Sequence, residues 1–147
     1  MVRHIIFDMD GLLVNTEPMH YEAWKKVFEK HGASLTKEVF SEFVGKGNDY
    51  VAGWLLAGQG ILATPEELIA EKTRFLNEFL DKVEPMPYAV ELLEKLRSQK
   101  GLVLSVASSS QKQVVVRMLE ATGILKFFDF LNAGDEVERT KPSPDVY

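Results

Sequence analysis

The sequence predicts an α/β protein in which an inserted helical domain interrupts a parallel sheet. Two observations support this fold class. A β-branched and aromatic run, Val2 to Phe7, predicts a first buried strand, and helices alternate with strands from Glu84 onward. Helical periodicity dominates the stretch between them. We therefore expect an α/β core of residues 1–14 and 84–147 and an all-α insertion of residues 15–83.

Four helices are predicted inside the insertion. The start of the fourth is marked most clearly, because Thr64-Pro65-Glu66-Glu67 combines a capping hydroxyl, a first-turn proline and a glutamate that can close a capping box. Thr16 is the predicted cap of the first helix, with Pro18 in its first turn. The predicted helices run from Thr16 to His31, from Leu35 to Val44, from Asn48 to Ala57, and from Thr64 onward.

The second half of the chain has the alternation that is typical of a parallel sheet. Its predicted elements are a helix opened by Pro85-Met86-Pro87 and closed by Lys100-Gly101, a strand from Leu102 to Ala107, a helix from Gln111 to Thr122, and a strand from Phe128 to Asn132. The two connections between core and insertion, near Leu13 to Asn15 and near Val83 to Pro85, are predicted to act as hinges.

The composition is that of a globular protein, since 46% of the 147 residues are hydrophobic and 27% are charged. The absence of cysteine excludes disulfides, thiolate metal sites and a cysteine nucleophile. A net charge of −5 without a cationic stripe argues against a nucleic-acid partner. The run from Val2 to Val14 contains charges and is too short to span a bilayer, so we expect a cytoplasmic protein with no membrane partner. The oligomeric state is left open.

Asp8 and Asp10 follow the first strand directly. At a spacing of i, i+2 in an extended chain, both carboxylates point to one side and repel each other. A hard dication between them, or a proton kept by one of them, relieves the repulsion, and either serves chemistry on an anionic substrate. The alternative is that Asp8-Met9-Asp10-Gly11 is only a turn cluster.

Ser108, Ser109 and Ser110 stand between a predicted strand and a predicted helix. Hydroxyls and backbone amides at such a junction can bind a phosphate, although serines there also serve simply as helix caps. Lys141 follows a charged loop and could balance the charge of a bound phosphate; the alternative is a solvated surface lysine.

Three residues of the insertion are candidates for substrate contact. His20 lies on the apolar stripe of the first helix and could carry a proton or bind a ligand, although a packing role is the favoured interpretation. Lys46 and Asn48 belong to a glycine-containing loop that could close over an anion, or could be an ordinary helix connection.

In this order, the motifs resemble those of the haloacid dehalogenase-like phosphotransferases, in the subgroup of β-phosphoglucomutase and small-sugar phosphatases with a helical cap. Phe7 to Glu17 matches the first motif, Ser108 the second and Lys141 to Tyr147 the third. The resemblance implies a Rossmannoid core with residues 15–83 as the cap. It also implies a small phosphate ester as substrate.

The resemblance further implies a two-step phosphoryl transfer. Asp8 would attack the phosphorus, and Asp10 would protonate the leaving alcohol and then activate water. Mg²⁺ would be bound by the Asp8 carboxylate, the Asp10 backbone carbonyl and a further acidic residue. Ser108, Ser109 and Lys141 would bind the phosphate oxygens.

Two departures from the family pattern shape the functional hypotheses. The acidic fourth motif is expected some tens of residues beyond Lys141, so the chain is expected to be a fragment with weak Mg²⁺ binding and little activity. Asp135 and Glu136 precede Lys141 and are not assigned to the metal. The cap loop carries Lys46 where the mutases have arginine, which favours a phosphatase of a sugar or nucleoside phosphate over a mutase. A third alternative is a non-catalytic interaction module with an uncovered sheet edge.

Overall fold

The computed structural model of the protein describes residues 3–139 and 141–147 and contains two compact units. One unit consists of the chain up to Thr16 together with Leu80–Tyr147, and the other is Glu17–Phe79. Met1, Val2 and Thr140 lie outside the described residues, as does the predicted beginning of the first strand at Val2. Helices combined with a parallel sheet confirm the predicted α/β class.

The first unit is built on a three-stranded parallel sheet. Its strands are β1 (His4–Phe7), β4 (Val103–Ala107) and β5 (Phe130–Asn132), with β4 in the centre. Phe7 pairs with Val106, and Ala107 pairs with Asn132. Leu104, Val106 and Ala107 of the central strand are fully buried. Since the strands are parallel and in register, their carboxyl ends lie at one edge, and the loops that follow them converge there.

The two segments predicted as hinges pair with each other. Val14–Asn15 forms β2 and Glu84–Pro85 forms β3, and the two are antiparallel, with Val14 opposite Pro85. The amide of Met86 extends the pairing by donating to the carbonyl of Leu13 over 2.9 Å. Strands of two residues show no periodicity, which is why the sequence did not reveal them.

Two helices accompany the sheet in this unit, α5 (Ala89–Arg97) and α6 (Lys112–Ala121). The prediction that Pro85-Met86-Pro87 opens the first of them was wrong, because Pro85 belongs to β3 and the helix begins only at Ala89. Tyr88 occupies the position before the helix with a φ of 65°. Short 3₁₀ turns complete the unit at Leu80–Lys82, Leu125–Phe127, Gly134–Glu136 and Pro144–Val146.

The second unit contains four helices, α1 (Glu17–Lys30), α2 (Lys37–Ser41), α3 (Asn48–Gln59) and α4 (Pro65–Asn77). The capping box predicted at Thr64 is present: its hydroxyl accepts from the Glu67 amide, and the Glu67 carboxylate accepts from the Thr64 amide. The second helix, predicted from Leu35 to Val44, begins at Lys37 because Thr36 caps it, and it ends at Ser41. The buried cluster of this unit comprises Trp24, Val27, Phe28, Leu35, Phe40, Phe43, Val51, Ala52, Leu55 and Leu68. Across residues 3–139 and 141–147, no helix is long and apolar enough to cross a bilayer.

Candidate active site

Asp8 and Asp10 flank the fully buried side chain of Met9 where β1 ends. The Met9 carbonyl accepts from the amides of Leu13 and Val14 at 3.0 and 3.1 Å, which closes the turn behind the two aspartates. Gly11 has a φ of 74° in this turn, a conformation that glycine adopts without strain. The local sequence therefore places both aspartates at the edge where the parallel strands end.

The Asp10 carboxyl group interacts with two hydroxyls from different parts of the chain. Ser108 Oγ donates to Asp10 Oδ2 over 3.4 Å, and the buried Thr16 hydroxyl forms a second hydrogen bond. Desolvation raises the pKa of Asp10, and the neighbouring charge of Asp8 acts in the same direction. The two hydrogen bonds and the charge of Lys141 oppose that rise without cancelling it. Asp10 is thus a carboxyl group that keeps its proton more readily than an ordinary aspartate.

Lys141 connects the third motif to the first strand. Its ammonium group lies 2.5 Å from Asp8 Oδ1 and 2.7 Å from the carbonyl oxygen of Ala107, the last residue of β4. The Lys141 side chain is 21% exposed and that of Asp8 is 48% exposed, so the pair remains open to a ligand. The interpretation of Lys141 as a solvated surface charge is therefore wrong.

The Ser108–Ser110 loop continues from β4 at the same edge. Ser108 is fully buried, whereas Ser109 is exposed. Two of the backbone amides that were expected to be available for a phosphate are engaged within the protein. The Ser108 amide donates to the Asn132 carbonyl, and the Ser110 amide donates to Ser108 Oγ. Gln111, rather than a serine, precedes the first turn of α6.

Asp135 and Glu136 have structural partners. Asp135 Oδ1 accepts from the Lys112 amide at the start of α6, over 2.8 Å. Glu136 accepts from the Lys112 ammonium at 2.9 Å and from the Ala133 amide at 3.0 Å. Within the described part of the chain, no three His, Cys, Asp or Glu side chains are grouped so as to hold a metal ion.

His20, Lys46 and Asn48 belong to the other unit, Glu17–Phe79. Burial, together with the charge of the buried Lys72, lowers the pKa of His20 to about 4, so this imidazole is neutral near pH 7. The Lys46 ammonium lies over the ring of Tyr50, 4.1 Å from its centroid. Asn48 is the first residue of α3.

Two residues near the carboxyl ends of the parallel strands were not predicted to belong to the site. Thr16 was predicted only as a helix cap, yet its hydroxyl binds the Asp10 carboxyl group. Gly134 lies in the charged loop before Lys141 and was assigned no role, yet its amide donates to the Ser110 carbonyl over 2.9 Å. Thr16 could have been found, since it lies inside the matched first motif. The contact of Gly134 crosses between two loops and leaves no local signal.

The comparisons with known proteins agree with this arrangement. Residues 5–147 match the family model of haloacid dehalogenase-like hydrolases, and the chain belongs to this family. It is 30% identical over 147 residues to the phosphorylated carbohydrates phosphatase of Thermotoga maritima, a match that covers 97% of this chain and 66% of the relative. It is also 30% identical over 145 residues to the fructose-1-phosphate phosphatase of Escherichia coli, covering 97% of this chain and 75% of that protein.

A solved structure from Thermotoga maritima, with a provisional assignment as a β-phosphoglucomutase, resembles the whole chain. The TM-score is 0.79 at 28% identity, and the match covers 100% of this chain and 68% of the other. The chain thus spans about two thirds of the length of the two Thermotoga proteins. These matches confirm the predicted family and the parallel-sheet fold with helices.

Proposed function

We propose that the protein is a phosphatase that hydrolyses a small phosphorylated sugar or nucleoside through an aspartyl-phosphate intermediate. The observation that carries this proposal is the position of Lys141, whose ammonium group lies 2.5 Å from Asp8 Oδ1. It brings a fixed positive charge to a carboxylate at the open edge of the sheet, beside a second carboxyl group with a raised pKa, that of Asp10. A nucleophile, a proton donor and a cation for phosphate oxygens are the groups that phosphoryl transfer requires.

In the first step, a carboxylate oxygen of Asp8 attacks the phosphorus and the bond from phosphorus to the ester oxygen breaks. Asp10 gives its proton to the departing oxygen, so the alcohol leaves neutral. The raised pKa of Asp10 supports this role. In the second step, Asp10 takes a proton from water as the water oxygen attacks phosphorus. The bond from Asp8 to phosphorus then breaks, phosphate leaves, and both carboxyl groups return to their starting states.

The phosphoryl oxygens need donors and positive charge throughout both steps. We propose that the Lys141 ammonium, the Ser108 hydroxyl and Ser109 supply them. Ser108 is buried, and its one hydroxyl proton is donated to Asp10 in this structure, so it would turn to a phosphate oxygen when phosphate binds. Ser109 is exposed at the edge where a phosphate would arrive.

Magnesium fits the donor set at this edge. Mg²⁺ prefers oxygen ligands and takes only one or two carboxylates from a protein, with water and substrate phosphate completing its shell. Asp8 would bind it through the carboxylate and Asp10 through its backbone carbonyl. Bound Mg²⁺ would supply positive charge to the phosphoryl group.

The substrate class is proposed from the relatives, two of which are phosphatases of phosphorylated carbohydrates and of fructose 1-phosphate. The unit Glu17–Phe79 would serve as the cap, with His20, Lys46 and Asn48 contacting the part of the substrate that is not the phosphate. Lysine at position 46 supplies charge but not the two-pronged hydrogen bonding of arginine.

A phosphate-release screen tests this proposal. The protein is incubated with Mg²⁺ and a panel of sugar phosphates and nucleotides that includes fructose 1-phosphate, and released phosphate is measured. Asp8→Asn is the blank, and added EDTA tests the requirement for the metal. We expect release by the unaltered protein and none by Asp8→Asn. If no member of the panel releases phosphate above the blank, the proposal is wrong.

A phosphosugar mutase is the second candidate, favoured by the resemblance to the provisionally assigned β-phosphoglucomutase structure. In a mutase, a sugar hydroxyl replaces water in the second step. Incubation with a hexose monophosphate and a hexose bisphosphate separates the two candidates: an isomerised sugar phosphate without free phosphate would identify the mutase.

A further inference from the structure

Gly134 lies against the backbone of the Ser108–Ser110 loop. A Cβ atom built on Gly134 would stand 2.7 Å from the carbonyl carbon of Ser109 and closer still to its carbonyl oxygen. The protein has ten glycines, all within the described residues, and a Cβ on any of the other nine would meet no atom within 4 Å. Glycine at position 134 is therefore what permits this close approach.

The segment that contains Gly134 is tied to the loop on both sides of that contact. Upstream, the Ser108 amide donates to the carbonyl of Asn132 over 3.0 Å. Downstream, the Lys112 amide donates to Asp135 over 2.8 Å. Gly134 itself donates to the Ser110 carbonyl over 2.9 Å. Because these bonds hold the loop at several points, it cannot simply move away from a side chain added at position 134.

The peptide group that links Ser109 and Ser110 connects Gly134 to the proposed catalytic groups. Its carbonyl faces Gly134, and its N–H donates to Ser108 Oγ over 3.1 Å. The same Ser108 hydroxyl donates to Asp10 Oδ2. Since a peptide group is planar and rigid, a displacement of the Ser109 carbonyl also turns the Ser110 N–H away from Ser108.

We propose that Gly134 is a positioning residue for phosphate binding, acting through the peptide group between Ser109 and Ser110 on the hydroxyl of Ser108. The inference rests on the proposed function, because Ser108 and Ser109 are the proposed ligands of the phosphate. Gly134 makes no contact with substrate in this scheme. Because Gly134 has no side chain, the Ser109 carbonyl can pack against it, and the Ser110 N–H then holds the Ser108 hydroxyl in place.

The test is Gly134→Ala, with inorganic phosphate and Mg²⁺ as the probe. Titration followed by amide chemical shifts gives the dissociation constant of phosphate for the folded protein, and hydrogen exchange reports the Ser110 N–H. We expect phosphate binding to weaken about tenfold or more, the effect of losing one hydrogen bond to a charged ligand. We also expect the Ser110 amide to lose its protection from exchange.

Two control variants separate positioning from general destabilisation. Asp129→Asn weakens the hydrogen bonds that Arg97 and the Leu104 amide donate to the Asp129 carboxylate, near the opposite end of β4. It should lower the melting temperature and leave phosphate affinity unchanged. Gly53→Ala makes the same substitution in α3, where an added Cβ meets nothing within 4 Å, and should also leave phosphate affinity unchanged.

The positioning role is overturned if Gly134→Ala binds phosphate as tightly as the unaltered protein. It is also overturned if Asp129→Asn, at an equal loss of melting temperature, weakens binding as much. Should Gly134→Ala not fold, the unaltered protein still decides the matter: an unprotected Ser110 amide would contradict the bond to Ser108 on which the role depends. If the unaltered protein binds no phosphate, the proposed function fails, and the positioning role fails with it.

Discussion

Lys141 and Asp8 stand 133 positions apart in the chain, yet their charged groups approach to 2.5 Å. A second bond, from the Lys141 ammonium to the Ala107 carbonyl, fixes the lysine at the end of the central strand. The cation is thereby held by one carboxylate and one backbone carbonyl, both at the carboxyl edge of the sheet. This places a positive charge where the proposed phosphoryl group would bind.

Replacing Lys141 by alanine should remove that charge from the phosphoryl oxygens. We expect kcat/KM for the best substrate of the release screen to fall about 10²- to 10³-fold, the range for loss of one group that stabilises transition-state charge. Steady-state phosphate release measures the effect. Lys100→Ala, which alters an exposed lysine before β4, is the control and should change kcat/KM little. A loss in Lys141→Ala no greater than in this control would contradict the role.

Asp10→Asn should abolish turnover and, at neutral pH, raise the melting temperature. The pKa of Asp10 is raised on folding, so the folded protein binds more protons than the unfolded chain between the ordinary value and the raised one. Loss of the Asp10 proton therefore costs more in the folded protein than in the unfolded chain, and this destabilisation disappears as the pH falls below the ordinary value of 3.8. Because asparagine does not ionise, the Asp10→Asn variant is free of this destabilisation at every pH.

Thermal unfolding at a series of pH values tests whether Asp10 destabilises the folded protein. The difference in melting temperature between Asp10→Asn and the unaltered protein should shrink as the solution is acidified. Asp129→Asn provides the opposite case, because the bonds from Arg97 lower the pKa of Asp129 and its ionised form stabilises the fold. If Asp10→Asn had a lower melting temperature than the unaltered protein at pH 7, Asp10 would not be destabilising the fold as proposed.

Features of the fold that depend on residues close in the chain were predicted correctly from the sequence. The capping box at Thr64 is complete within four residues, so the start of α4 at Pro65 needed no tertiary information. Asp8 and Asp10 were placed correctly at the end of β1 because a short apolar run followed by Asp-x-Asp-Gly marks both the strand and its end. Such features depend on residues close in the chain, where propensity and spacing decide the conformation.

Features that depend on distant pairing were missed. The antiparallel pair of Val14–Asn15 with Glu84–Pro85 joins segments about seventy residues apart, and neither segment has a pattern of its own. The same pairing draws Pro85 out of α5 and explains why that helix begins late. The contact of Gly134 with Ser109 likewise exists only after β4 and β5 have paired.

His20 should make the stability of the protein depend on pH in the acidic range. Its pKa is lowered to about 4, so between about pH 6.5 and pH 4 the unfolded chain binds a proton that the folded protein does not. We expect the free energy of unfolding to fall on the order of 3 kcal/mol as the pH decreases through that window. His20→Gln should lose this dependence.

Urea unfolding at several pH values between 4 and 7.5 measures the slope for His20. His4→Gln is the matched control, since it changes a histidine whose ring bonds Ser105 in the other unit, and the slope attributed to His20 should persist in it. An unchanged slope in His20→Gln would assign the pH dependence to other groups.

Tyr88 is a source of backbone strain that can be removed. It is the one non-glycine residue of the described chain with a positive φ, 65°, and its side chain is 80% exposed. Left-handed backbone costs a residue with a Cβ roughly 1–2 kcal/mol, whereas glycine pays about 0.5–1 kcal/mol in chain entropy. Tyr88→Gly should therefore raise the free energy of unfolding by up to about 1 kcal/mol.

Urea unfolding measures this gain, and Tyr88→Ala, which keeps the Cβ and loses the ring, should show none. A loss of stability in Tyr88→Gly equal to that in Tyr88→Ala would mean that contacts of the ring outweigh the strain.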